Sequence, residues 1–227
     1  MRSATSDGRD RVLARVRGAL GPRDGESAAH ARAESYLAAR AQGPRPRMPA
    51  DLAGRFMQRA TDMQSTVERI ASTELIPERV ARYLDALTLP PAFAAQKSHA
   101  GVCWPEFAAF DWSAAGLSIE ARPTTGNDRL GITGVFCGIA ETGTLVILSG
   151  ADTPTATTLL PDTHIAVLRS DRIVAGMEEA FALIARERLP RAVNLISGPS
   201  RTGDIEQTIV LGAHGPYRVH ILVLGTE

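Results

Sequence analysis

The chain has 227 residues, 44% of them hydrophobic and 22% charged, which is enough for one substantial domain plus an appendage. Its 25 basic and 25 acidic residues cancel, so no strong global field favours nucleic acid or an anionic membrane. Two cysteines, Cys103 and Cys137, are too few for an iron–sulfur cluster or a disulfide framework, and with Lys97 the only lysine there is no phosphate-loop lysine.

The N-terminus mixes Arg2, Asp7, Arg9 and Asp10 without an apolar segment, which does not read as a signal peptide. No apolar run approaches the roughly 20 residues that span a bilayer, so a cytoplasmic protein is expected. Val12, Leu13, Val16 and Leu20 fall on one side of a helix over 10–20, stopped by Gly21-Pro22. A weaker helix follows over 28–41, then an extended linker ending in GPRPRMP. Residues 1–50 therefore read as a helical arm with linker, and 51–227 as the main domain.

From Asp51, Leu52, Phe56, Met63, Val67 and Ile70 recur at helical spacing, and Pro77 suits the first turn of a second helix reaching Leu87. A short strand is expected around Ala92 to Ala95. Cys103 to Trp112 gathers two Trp and two Phe, the composition of a hydrophobic plug or a binding wall. After a strand over 117–121, the polar turn Pro123 to Arg129 offers Asn127 and Arg129 as candidate ligand-binding residues.

Gly131 to Ser149 is the densest stretch. Thr144 to Leu148 is a continuous apolar run, as in a strand covered on both faces, and Glu141-Thr142-Gly143-Thr144 forms a turn at its mouth. Glu141 serves there either in chemistry, in holding a partner, or as a turn residue capping an amide; Thr142, Gly143 and Thr144 accompany it as candidate ligand contacts. Apolar runs at 165–168, 192–196 and 219–224, with a helix over 175–187 placing Met177, Phe181 and Ile184 on one face, describe an α/β layered domain with a mostly parallel sheet. Ser197, Gly198, Ser200, Arg201 and Thr202 follow one of these strands and, with loop amides, form a candidate anion site. Asp204 either joins that site or draws its donors into an internal cap. His214 lies in an open Gly-rich turn as a candidate acid–base partner of Glu141.

GITGVFCGIAETGTLVIL, LLPDTHIAVL and SGPSRTGDIEQTIVLGAHGP resemble the LUD-domain family, in its lactate-utilisation protein C branch, over about residues 50 to 226. The resemblance implies a fold like that of sugar-phosphate isomerases and CoA transferases. It also implies an accessory subunit of a cytosolic system oxidising L-lactate to pyruvate, beside iron–sulfur oxidoreductase subunits. The chain lacks the cysteine-rich extension of larger family members, so no cofactor of its own is expected and any cluster belongs to partners. Glu141-Thr142-Gly143 looks like the Glu-x-Gly turn that supplies the nucleophile in similarly folded CoA transferases, which makes acyl transfer the rival function. A structural adaptor without ligand is the third reading.

Overall fold

The computed structural model describes residues 4–20, 26–39, 41, 43–89, 98–202 and 210–225. The chain divides into two compact units, Met1–Pro46 and Arg47–Glu227. The first holds two helices, α1 (Ala4–Leu20) and α2 (Glu26–Ala39). The strand expected around Ala92 to Ala95 lies outside the described residues.

The second unit opens with α3 (Leu52–Asp62), whose start is fixed by the Asp51 carboxylate accepting the Gly54 N–H at 2.8 Å. The helix does not continue to Ile70 as the apolar spacing suggests. Gln64 takes φ 66° and turns the chain into strand β1 (Thr66–Ile70). Val67 and Ile70 are three apart, which on a strand means opposite faces, and each packs into a different core. Helix α4 (Ile76–Ala86) follows with Pro77 in its first turn and Ile76, Val80 and Leu84 buried along one stripe.

Strands β2 (Ala100–Cys103), β3 (Ser118–Ala121), β4 (Leu130–Gly134), β7 (Thr163–Arg169) and β12 (Arg218–Leu224) join β1 in a six-stranded sheet of order β1-β12-β7-β4-β2-β3. Every pairing in it is parallel. The strand beyond Glu141 is not part of it. β5 (Cys137–Ile139), β6 (Thr144–Leu148), β8 (Ile173–Val174) and β9 (Val193–Ile196) form a second sheet of order β8-β5-β6-β9, in which β6 is antiparallel to both neighbours. The short α5 (Ala156–Leu159) precedes β7, and a two-stranded ribbon of β10 (Arg201–Thr202) and β11 (Val210–Leu211) precedes β12.

Three cores hold these layers together. On one face of the large sheet, Ile132, Ile165 and Leu222 meet α4 and the segment carrying Trp104, Phe107 and Trp112, which is a buried aromatic plug. On the other face, Ala166, Leu168, Val219 and Ile221 meet Phe56 and Ala60 of α3 and Leu145 of β6. The outer face of the second sheet is closed by Ala180 and Ile184 of α6 (Met177–Ile184). That helix is shorter than the spacing predicts and turned differently: Met177 and Phe181 are exposed while Ala180 is buried. β6 is thus covered on both faces, as its unbroken apolar run requires.

Candidate functional site

In a parallel sheet all strands share one amino edge and one carboxyl edge, so residue position along the chain assigns each loop to an edge. The turns before β1, β4, β7 and β12 mark the amino edge, and most of the sequence-predicted site residues are there. Arg129, ahead of β4, pairs with Asp162, ahead of β7, at 2.8 Å. Asn127 is exposed beside Asp128, whose carboxylate is held well below its usual range by hydrogen bonds from Arg122 and, less strongly, Thr124. The Ser200 N–H donates to the Pro216 carbonyl just before β12, and the His214 N–H reaches the Ser200 hydroxyl at 3.3 Å. Arg201 is exposed and Thr202 half-buried on the ribbon; Asp204 lies outside the described residues.

The Glu141 turn comes to the same edge because β5 and β6 form a hairpin running back from β4. Its hydroxyls are linked: Thr142 to Thr144 at 2.6 Å, and Thr144 to Ser197 at 2.7 Å. Both turns rest on the end of α3. A Cβ on Gly143 would lie 2.3 Å from the Ala60 nitrogen, and one on Gly198 would lie 2.1 Å from the Met63 carbonyl oxygen. Glu141 is half-buried, its N–H donates to the Ala175 carbonyl, and its side chain makes no hydrogen bond among the described residues. The structure therefore joins Thr142, Thr144 and Ser197 directly, and Ser200 with His214 separately.

The expectation that these loops follow the carboxyl ends of the parallel strands needs correction. Ser197 does follow the end of β9, but β9 runs opposite to β6 and delivers the chain to the amino edge.

The carboxyl edge carries a cavity of about 500 Å³. Trp104 and Glu106 enter it from the turn after β2, Gly134 and Phe136 from the end of β4, and Ser149 from the end of β6. Thr153, Glu187 and Arg188 complete its polar lining, with Val135 and Leu148 among its apolar wall residues. In open α/β sheets this edge is where ligands bind, and the volume is that of a ligand site.

Glu106 is the group that sequence reading passed over. The residue is solvent-exposed, yet its carboxyl end lies against the β4 terminus, where a Cβ on Gly134 would meet Oε1 at 2.1 Å. Partial burial there pushes its pKa above the usual carboxylate value, against the pull of the Gly134 amide. The Cys103 thiol behind it is pushed up to about 11, chiefly by burial and then by the Glu106 charge. An acid immediately after a buried strand, opened by Pro105, was the available signal; the aromatic residues around it drew the reading towards packing. Trp104 does pack, being 4% exposed, but it also walls the cavity and donates its indole N–H to the Pro154 carbonyl at 3.3 Å.

A parallel sheet backed by a smaller mixed one, with a ligand-sized cleft beyond the carboxyl ends of the parallel strands, defines a mixed α/β protein. The LUD domain model matches residues 101–224, and the chain belongs to the LUD domain family. Lactate utilization protein C of Deinococcus radiodurans is 31% identical over 192 residues, covering 80% of this chain and 84% of that protein. The proteins of the same name from Anoxybacillus flavithermus and Bacillus licheniformis are 35% and 33% identical, over 42% and 53% of this chain. In those alignments the chain spans about half of its relatives, 44% and 53% of their lengths. A crystal structure of a DUF162 family protein from D. radiodurans matches with TM-score 0.56 and 25% identity, over 79% of this chain and all of that one.

Proposed function

We propose that the chain is an accessory, cluster-free component of a lactate-utilisation system, that its carboxyl-edge cavity receives an organic anion, and that electrons are carried by iron–sulfur subunits beside it. The observation carrying this reading is the similarity to lactate utilization protein C of D. radiodurans along most of both chains. The cysteines are consistent with it. Cys103 and Cys137 sit buried on separate strands, and burial pushes both thiols up to about 11, so neither is disposed to be a thiolate ligand. Among the described residues no helix is long and apolar enough to cross a membrane.

The rival reading, acyl transfer through Glu141, draws on a carboxylate at a glycine turn that makes no hydrogen bond among the described residues. It gains less from the geometry, because Glu141 lies at the opposite edge from the cavity.

Deletion of the gene tests the first reading: growth on lactate as sole carbon source should be lost and restored by the wild-type chain. The tagged protein should also bring down iron-containing partners. Unimpaired growth of the deletion strain overturns the reading. Glu141→Gln separates the rival, since an amide cannot form the acyl anhydride; the first reading expects this variant to restore growth fully.

A further inference from the structure

The hydrogen-bonding capacity of the carboxyl-edge cavity is asymmetric, and the asymmetry specifies a ligand. The Ser149 hydroxyl accepts the Ala192 N–H at 2.8 Å, which leaves its own proton to donate. Thr153 does the reverse: its hydroxyl proton goes to the Leu148 carbonyl at 2.8 Å, which leaves an oxygen able only to accept. Arg188 adds donors at the rim and is the one cation among the described lining residues, while the neighbouring Glu187, also exposed there, adds a second acceptor carboxylate besides Glu106. Glu106, seated against Gly134, adds an acceptor. Trp104 has already placed its indole proton on Pro154, so it offers the cavity only its ring.

We propose that this cavity binds a hydroxy acid bearing an apolar body larger than a methyl group. The carboxylate is received by Ser149 and Arg188, the hydroxyl donates to Thr153 or Glu106, and the body lies against Trp104 and Phe136. Size decides the last point. A cavity of about 500 Å³ falls in the range of sites for drug-sized molecules, and a three-carbon acid leaves most of it to water. The inference rests on the reading that this cavity is the working site, and it narrows the organic anion to a class.

The role of Gly134 follows from contact. Any side chain there displaces Oε1 of Glu106, so the glycine is a positioning residue for an acceptor on the hydroxyl.

Calorimetric titration of the full chain with 3-phenyllactate, 3-phenylpropanoate and lactate tests the proposal. Phenyllactate should bind most tightly. Removing the hydroxyl should weaken binding roughly tenfold, the value of a hydrogen bond to a polar or charged group. Removing the ring should weaken it roughly tenfold or more, from lost apolar burial. Ser149→Ala and Arg188→Gln should weaken all three acids, whereas Gly134→Ala should weaken phenyllactate more than phenylpropanoate. Absence of phenyllactate binding at millimolar concentration, or equal affinity for the three acids, overturns the proposal without need of any variant. A strain that requires the gene for growth on lactate while its protein ignores phenyllactate would remove this inference and leave the lactate reading standing.

Discussion

Gly143 carries two separate penalties for any side chain, and comparison with Gly116 distinguishes them. Both have a left-handed backbone, φ 69° and 73°, but a Cβ on Gly116 meets nothing within 4 Å while one on Gly143 meets the backbone of Ala60. The conformational cost alone is about 1 kcal/mol, and overlap with a helix backbone that cannot yield adds about 1–3 kcal/mol. Gly116→Ala should therefore lower unfolding stability by about 1 kcal/mol and Gly143→Ala by about 2–4 kcal/mol in urea titration. Equal losses would mean that the Glu141 turn does not depend on its seat against α3. At this scale the sequence was readable at Gly143 as the turn glycine at the mouth of β6. It was not readable at Gly134, because what requires glycine there is a carboxyl group 28 residues earlier in the chain.

The junction of α3 and β1 shows how an element can be misread from correct residues. Val67 and Ile70 continue the apolar spacing of Leu52, Phe56 and Met63, and a three-residue step fits a helix face as well as it fits two faces of a strand. What ends the helix is the positive φ of Gln64, a non-glycine that gives no compositional signal. Pro77 did mark the first turn of α4, and the apolar spacing began α3 at Asp51. The structure adds that Asp51 caps the helix, and Asp51→Ala should cost about 1 kcal/mol by freeing the Gly54 N–H, measured as a shift in urea midpoint. An unchanged midpoint would show the helix start to be held by packing of Phe56 alone. The direction of β6 was the costlier omission. Its apolar run identified a strand buried on both faces, but burial is the same in a parallel or an antiparallel neighbour, so the sequence did not reveal that the Glu141 turn and the loop after β9 lie at the edge away from the cavity.

Across the whole molecule, two histidines buried against the large sheet tie stability to pH. The ring of His164 meets Thr133 at 2.8 Å; that of His220 stacks on Tyr83 with centroids 4.1 Å apart and meets Thr66 at 2.8 Å. Each leaves one ring nitrogen without a protein partner among the described residues, and burial lowers each pKa from 6.5 to about 4. Below pH 6.5 the unfolded chain takes up protons that the folded chain refuses until about pH 4, so stability falls as pH falls through that window. By pH 5 the loss should be roughly 2 kcal/mol per histidine, from 1.36 kcal/mol per pH unit. Carboxyl groups held below their usual range, Glu74, Asp111 and Asp171 among them, lose stability in the same direction but mostly below this window. Asp128, held at about 2 chiefly by Arg122, contributes stability that is intact above 3.8 and lost only at lower pH. Glu106, raised in the folded state, shifts stability in the opposite sense as pH falls. Comparing the wild type with His220→Phe cancels these carboxyl contributions. The Phe ring keeps the stack on Tyr83 and removes one titrating group, so urea unfolding between pH 7 and pH 5 should show about half the wild-type loss; an equal loss in both proteins would place the titration at other groups.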